Sequence, residues 1–167
     1  MLNNDTLLDK VLVLKCDEEE MIPDTNRLLL ILFKSILGYE LSANTPSAIM
    51  CKGCGGVFGD PFAGIEIRKN VLIISHYGGS SWRWSYTHKF RYQNNDWYLI
   101  GGTKSFYHCT EQCESLDDFV GNYSDANLIT GDVLERKIDE KCKLTEIKKK
   151  IIKSLITLSK FNIDEVN

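Results

Sequence analysis

Long apolar runs are missing from this sequence of 167 residues. The longest, at positions 28–33, is far shorter than the roughly 20 residues that a membrane-spanning helix needs. It predicts a buried strand, and we expect no membrane span. The first ten residues, MLNNDTLLDK, have neither the basic region nor the apolar run of a secretory signal.

A broad region of positive charge is also missing. The net charge is −3 at pH 7, and the one basic run, EIKKKIIKS, stands among acidic residues and is typical of a solvated face. Nothing in this charge distribution would attract a phosphate backbone, so nucleic acid is not expected as a partner.

Common catalytic motifs are missing as well. The sequence contains no G-x-S-x-G, no P-loop and no H-E-x-x-H. The three histidines, His76, His88 and His108, have no orienting third residue at a recognisable spacing, and a single histidine in a strand is usually structural. We therefore expect a non-enzymatic protein. A hydrolase that uses Asp60 and a histidine is the weakest alternative.

What is present is a twelve-residue alternation of ring-bearing and polar side chains. A period of two is typical of a long strand with one buried and one solvated face. Residues 94–96 (NND) predict a turn, and residues 97–103 (WYLIGGT) predict an antiparallel return strand, so most of the rings are expected in the core. The ring-bearing positions are Trp82, Trp84, Tyr86, His88, Phe90 and Tyr92.

Shorter segments predict further strands around this hairpin. Residues 11–15, 28–35 and 39–44 have strand composition, and residues 45–63 are typical of a loop. Lys69-Asn70 separates two more apolar runs and predicts a tight hairpin turn. The tail after Lys143 places several aliphatic side chains on one helical face and predicts a helix or a mixed structure.

These patterns together predict a mainly β fold. We expect a single domain over residues 1–167, built as an antiparallel sheet of sandwich or half-barrel form. The long hairpin would be its centre, and a helix could follow at the C-terminus.

Two cysteine pairs dominate the chemistry-bearing residues. Cys51 and Cys54 form a C-x-x-C motif followed by glycine, and Cys109 and Cys113 are spaced one residue wider. Four such thiolates could hold zinc in a tetrahedral site. Disulfides or free thiols are favoured over zinc, and redox catalysis is the least favoured alternative because no βαβ pattern surrounds the C-x-x-C motif.

Residues 51–103 carry a pattern of GDPF-x-GI, GGS-x-WRW, F-x-Y-x-N and W-x-L. In this pattern the chain resembles a group of uncharacterised bacterial secreted proteins and lipoproteins. The resemblance implies a β-rich protein of the cell envelope or the extracellular space, and it implies no reaction. The matching residues are Gly59, Asp60, Pro61, Phe62, Gly64, Ile65, Gly78, Gly79, Ser80, Trp82, Arg83, Trp84, Phe90, Tyr92, Asn94, Trp97 and Leu99.

The N-terminal segment LNNDTLLDKVLVL is similar to the calcium loop that opens FG-GAP repeats. Asn3, Asp5 and Asp9 match its third, fifth and ninth positions. Met1 stands in place of the first aspartate and Thr6 in place of the glycine, so calcium, which prefers six to eight oxygen ligands, is not expected. We expect the chain to begin partway into a longer ancestral protein.

The glycine-rich loops GDPFAG and YGGSS are the expected ligand-binding loops, because such loops between rigid strands commonly build binding sites. They could present a polar and aromatic surface to a protein, peptide or carbohydrate. The alternative is that the glycines only permit turns and that Asp60 caps one. The candidate ligand-binding residues are Asp60, Tyr77, Ser80, Ser81, Trp82 and Arg83.

The function expected from these patterns is that of a secreted or cell-envelope binding protein without a cofactor. The alternative is a cytoplasmic protein-interaction domain stabilised by zinc at Cys51, Cys54, Cys109 and Cys113.

Overall fold

A computed structural model describes residues 1–3, 5–15, 27–109, 121–139 and 141–165 of the chain. These residues form strands and one 3-10 helix. The elements are β1 (Lys10–Leu14), β2 (Arg27–Ser35), β3 (Gly38–Ile49), β4 (Phe62–Arg68), β5 (Val71–Gly79), β6 (Trp82–Gln93), β7 (Asp96–His108), β8 (Asn122–Asn127), β9 (Asp132–Ile138), β10 (Leu144–Lys150) and the 3-10 helix (Leu158–Lys160).

The strands form two antiparallel sheets. The first has the order β1-β2-β3, and the second has the order β10-β9-β8-β7-β6-β5-β4. One core joins them: Leu29 and Ile31 of β2 pack in the same buried cluster as Leu72, Phe90 and Trp97 of the larger sheet. The prediction of a mainly β, antiparallel fold of sandwich or half-barrel form is therefore confirmed. One domain over residues 1–167 stays a prediction.

The predicted long hairpin lies in the middle of the larger sheet. β6 and β7 pair from Trp82 opposite His108 to Gln93 opposite Asp96. The turn residues Asn94 and Asn95 have φ of 51° and 61°, and two consecutive positive φ angles match the right-handed twist of a two-residue hairpin. Lys69-Asn70 forms the second predicted turn in the same way, with φ of 48° and 62°.

Burial of the hairpin rings changes along β6. His88 and Phe90 are buried and Tyr92 is half-buried, because the smaller sheet and the residues around Phe161 cover this end. Trp82, at the other end, keeps 48% of its surface exposed. Most of the rings are thus at least half-buried as expected, and Trp82 is the exception.

The prediction of a C-terminal helix is wrong. Residues Leu144–Lys150 form the edge strand β10, and only the 3-10 helix follows in the described part of the tail. Cross-strand ion pairs to β9 stabilise the strand, with Arg136 Nε 3.1 Å from Glu146 and Lys149 Nζ 2.5 Å from Glu135. No helix among the described residues is long and apolar enough to cross a membrane.

Strands also occupy residues 45–49, which were expected as part of a loop, and a polar segment for which the sequence indicated no strand. β3 continues through Ile49, where residues 48–50 are buried. The polar segment Asn122–Asn127 is β8, which pairs with β7 on one side and β9 on the other. Polar side chains are tolerated in β8 because it lies beyond the part of the sheet that the smaller sheet covers.

Candidate functional site

The loop at residues 51–62 folds back onto the end of β5. Gly79 donates its backbone N–H to the carbonyl of Gly55 at 2.9 Å, and Val57 donates to the carbonyl of Gly79 at 3.1 Å. Tyr77 donates to the carbonyl of Pro61 at 2.8 Å. The GDPF loop (residues 59–62) and the YGGSS loop (residues 77–81) therefore meet at one end of the larger sheet. We call this end, where β5 turns into β6, the hairpin end.

Close backbone approach explains the glycines at this junction. A Cβ on Gly56 would lie 2.6 Å from the carbonyl oxygen of Gly79, and Gly56 has a φ of +67°. A Cβ on Gly79 would lie 2.0 Å from the carbonyl oxygen of Trp82, and Gly79 has a φ of +113°. Only residues without a side chain fit, so the two loops are held together as one rigid unit.

The side chain of Asp60 anchors the joined GDPF and YGGSS loops. Its carboxylate lies 2.8 Å from the guanidinium Nη2 of Arg27, whose side chain is buried, and accepts the backbone N–H of Phe62 at 3.0 Å. Burial raises the pKa of Asp60, but the hydrogen bonds from Arg27 and Phe62 and the charge of Arg27 outweigh it and hold the pKa below its ordinary value. Asp60 is thus placed as a structural carboxylate that caps the loop.

One face of the hairpin end carries a network of rings around Arg83. Arg83 Nη1 donates to the hydroxyl of Tyr77 at 3.1 Å, and the guanidinium lies 4.9 Å from the ring centre of Phe58. The hydroxyls of Tyr77 and Tyr107 are 3.3 Å apart. The hydrogen bond with Tyr107, followed by that from Arg83, lowers the pKa of Tyr77. This network orients Arg83 while leaving Phe58 41% exposed.

The opposite face carries an exposed aromatic pair. Trp82 stacks on Phe106 with ring centres 5.0 Å apart and planes 5° apart, and His108 meets Trp82 edge-on at 4.8 Å. Trp82 and Phe106 keep 48% and 44% of their surfaces exposed. Ser80 and Ser81 form the exposed turn beside them.

The candidate residues are therefore divided between two roles. Tyr77, Ser80, Ser81, Trp82 and Arg83 lie together at the hairpin end, with rings on both faces of the sheet. Asp60 lies behind them as the anchor of the loop. The sequence pattern could not indicate Phe106, whose partner is 24 positions away and is set by the register of β6 and β7.

Cys51 and Cys54 are joined by a disulfide, as the favoured interpretation of the C-x-x-C motif predicted. In this state their sulfurs are not thiolates that could bind zinc. Cys109 is an exposed free thiol at the hairpin end, where its backbone N–H donates to the carbonyl of Ser81 at 2.8 Å. Cys113 lies outside the described residues, so the four-cysteine zinc site stays a prediction.

The N-terminal segment resembles a calcium loop, but its carboxylates form hydrogen bonds with backbone N–H groups. Asp9 accepts the backbone N–H of Leu2 at 2.5 Å and that of Lys34 at 3.1 Å. Asp5 accepts the backbone N–H of Leu7 at 2.7 Å. These contacts make a polar turn ahead of β1. The described parts of the chain contain no group of three or more histidine, cysteine, aspartate or glutamate side chains arranged for a metal ion.

Two histidines of the hairpin region are buried. His76 Nε2 accepts the backbone N–H of Met50 at 3.3 Å, and Phe161 packs edge-on against His88 at 4.9 Å. Burial, helped by the charge of Arg27, lowers the pKa of His76 to about 4, and burial, helped by His76, lowers that of His88 to about 4. Both rings are therefore neutral at pH 7.

A second concave feature was not indicated by the sequence. A groove of about 450 Å³ runs over β6 to β9 and is bordered by β10 and residues 151–156. An adjoining hollow of about 390 Å³ shares Tyr86 and Lys104 with it and reaches Phe106. The described lining of neither includes a residue of the smaller sheet. Two small residues, Gly102 and Ala126, lie side by side in the groove. They could not be recognised as neighbours from the sequence, because only the strand register pairs them.

No family model, no curated protein and no solved structure matches the chain.

Proposed function

We propose that this chain is a non-enzymatic binding protein of the cell envelope or the extracellular space, and that the hairpin end contacts its ligand, a protein, peptide or carbohydrate. The observation that carries the proposal is the exposed, coplanar stack of Trp82 on Phe106. Large rings exposed to solvent are costly for a protein to maintain without a partner. They provide much contact area and lose little conformational entropy on binding.

Rigidity of the surrounding backbone supports the same proposal. The disulfide closes the turn at Cys51–Cys54, and the loop that follows is hydrogen-bonded to Gly79. A preorganised surface loses less entropy when a ligand binds. Arg83 adds a cation that Tyr77 and Phe58 already orient.

The disulfide also supports the proposed compartment. Disulfides persist in oxidising environments and are rare where thiols are kept reduced. Cys142 also takes part in a disulfide. A protein with these bonds fits the envelope or the extracellular space better than the zinc-stabilised cytoplasmic alternative.

The test is a binding screen on immobilised carbohydrates and on a peptide library, with the purified chain and its Trp82→Ala variant. We expect the chain to select one ligand class. Loss of the ring at the centre of the contact should weaken binding by about 2 kcal/mol, or roughly thirtyfold. Tyr39→Ala is the matched control, since Tyr39 is an aromatic residue on the smaller sheet with 41% of its surface exposed.

A ligand whose affinity is the same for the parent chain and Trp82→Ala would place the contact surface elsewhere. Equal losses in Trp82→Ala and Tyr39→Ala would indicate a nonspecific aromatic contribution and would also contradict the proposal.

A further inference from the structure

The groove over β6 to β9 owes its depth to a row of residues that lie directly across from one another. His88 pairs with Gly102, Gly102 with Ala126, and Ala126 with Val133. Two adjacent positions of this row have little or no side chain. A Cβ on Gly102 would lie 2.7 Å from the carbonyl oxygen of Thr87, so the close approach of β6 and β7 requires glycine there.

Apolar side chains form much of the groove lining. Leu99, Leu128 and Val133 contribute from the sheet and the turn after β8, and Ile151 and Ile156 contribute from the segment after β10. The segment is held in place because Leu99 donates its backbone N–H to the carbonyl of Ile156 at 2.9 Å. The volume of about 450 Å³ lies within the range of roughly 300–1,000 Å³ that is typical of small-molecule sites.

The charged residues of the lining are mostly cations. Lys104, Lys149 and Lys153 face one carboxylate, that of Glu135, which lies 2.5 Å from Lys149 Nζ. Within the described residues, Lys104 and Lys153 have no carboxylate within ion-pair distance. The described residues of the lining thus carry three lysines and one carboxylate, in a chain whose net charge is −3. This local charge is complementary to an anion.

His88 supplies an unused polar atom in the same lining. The residue is 9% exposed, and its Nδ1 makes no hydrogen bond to any part of the chain that the structure describes. Buried polar atoms are normally satisfied by protein, water or ligand. The Nδ1 of His88 is therefore a buried polar atom of a lining residue for which the structure describes no partner.

From these features we propose that the groove binds an amphipathic carboxylate, an aliphatic chain that ends in a carboxyl group. The aliphatic chain lies against the apolar lining, and the carboxylate lies near Lys104 and Lys153. This site is separate from the exposed rings of the hairpin end, and the ligand is the free acid in solution.

Decanoate, kept below its micelle concentration, is the probe for this site. Titration of the purified chain is followed by calorimetry and by backbone amide chemical shifts. Decanol provides the neutral comparison and decyltrimethylammonium the cationic one. We expect decanoate to bind about tenfold more tightly than decanol, as one favourable charge interaction near the protein surface predicts, and the cation to bind most weakly. The shifted amides should cluster at residues 99–104 and 124–128.

Variants separate the anion contact from the apolar contact. Lys104→Glu and Lys153→Glu should each weaken decanoate binding by about tenfold and leave decanol binding unchanged. Lys52→Glu, which changes an exposed lysine of the disulfide loop, should change neither. Ala126→Phe, which fills the groove, should abolish binding of both probes.

Trp82→Ala should leave decanoate binding unchanged, which keeps this test independent of the function proposed for the hairpin end. Equal affinity for decanoate and decanol would overturn the proposal, as would shifted amides outside the groove. Insensitivity to both lysine substitutions would also overturn it. Binding to phosphatidylglycerol vesicles without binding to decanoate would replace it with a lipid-surface contact.

Discussion

Gly79 hydrogen-bonds to the loop at residues 51–62 and lies in the tight turn between β5 and β6, and its replacement tests that turn. In Gly79→Ala the new Cβ would lie 2.0 Å from the carbonyl oxygen of Trp82, at a φ of +113°. We expect the free energy of unfolding to fall by about 3 kcal/mol, since steric overlap adds to an unfavourable backbone conformation. Chemical denaturation monitored by tryptophan fluorescence measures the change.

Gly59→Ala is the matched control for this substitution. Gly59 also has a positive φ, +69°, but a Cβ there would meet nothing within 4 Å. Only the backbone cost of about 1 kcal/mol is expected. If the two variants lose the same stability, Gly79 is not in the close contact that the structure describes.

The buried histidines predict a pH dependence of stability. Unfolded histidines bind protons below pH 6.5, whereas burial keeps His76 and His88 neutral in the folded chain until the pH nears 4. The unfolded state therefore gains protons first, and stability falls as the pH drops through this window. Between pH 7 and pH 4.5 we expect each histidine to contribute a loss of about 2–3 kcal/mol. Urea denaturation at several pH values measures the loss.

His88→Leu should make this pH dependence shallower, because one of the two titrating groups is removed. His108→Gln serves as the comparison, since it removes a histidine that is half-exposed beside Trp82. A urea midpoint that stays constant from pH 7 to pH 4.5 would mean that the rings are not buried in neutral form.

Single residues differ in how far the sequence indicated their roles. Tyr77, Trp82 and Arg83 could be grouped from sequence because a hairpin turn brings them together over a few positions. A capping role for Asp60 was the alternative interpretation of the sequence, but its ion pair could not be predicted, because the partner Arg27 is 33 positions away in the other sheet. Phe106 was missed for the same physical reason, since its stacking on Trp82 depends on the register of a long hairpin.

Among the elements, the hairpin of β6 and β7 has one end in the core and one end in solvent. Phe90 is fully buried and meets Phe161 edge-on at 5.1 Å, whereas Trp82 is 48% exposed. We expect Phe90→Ala to lower the free energy of unfolding by about 3–5 kcal/mol and Trp82→Ala by about 1 kcal/mol. Equilibrium denaturation of both variants measures the difference, and similar losses would contradict the division of the hairpin.

The tail shows why an element can be assigned wrongly from its pattern. Aliphatic residues at intervals of three and four predicted a helix, but their neighbours carry the charges that pair with β9. Arg136 of β9 lies opposite Glu146, Glu135 lies diagonally across from Lys149, and the two ion pairs stabilise β10. The tail forms a strand because the edge of β9 is available to pair with it. The periodicity of the tail's own sequence gives no information about that edge.

Across the whole molecule, the disulfide closes a local turn between β3 and β4. In the loop-entropy picture, closing a loop of four residues stabilises the chain by about 2 kcal/mol. Replacing both Cys51 and Cys54 by serine should lower the free energy of unfolding by about this amount. Reductant should lower the stability of the parent chain by more than that of the double variant, because the double variant keeps the disulfide of Cys142 but lacks that of Cys51 and Cys54.

Cys109→Ser is the control for the cysteine substitutions. Cys109 is exposed and free, so its loss should change the stability by less than about 0.5 kcal/mol. Alkylation before reduction, followed by mass spectrometry, should label Cys109 and leave Cys51 and Cys54 unlabelled. Labelling of all three cysteines without reductant would contradict the disulfide and would restore zinc as an interpretation of the pair.

Local patterns were sufficient for the long central hairpin, for the two asparagine turns and for the β class of this protein. The alternation along β6 and the paired asparagines that follow it involve residues one or two positions apart. Both patterns can therefore be recognised from the sequence alone. The groove, the anchoring of Asp60 and the strand form of the tail depend on which strands become neighbours. Which strands become neighbours is decided by the burial of the apolar faces of both sheets in one shared core. Strand pairing is therefore a property of the folded chain as a whole.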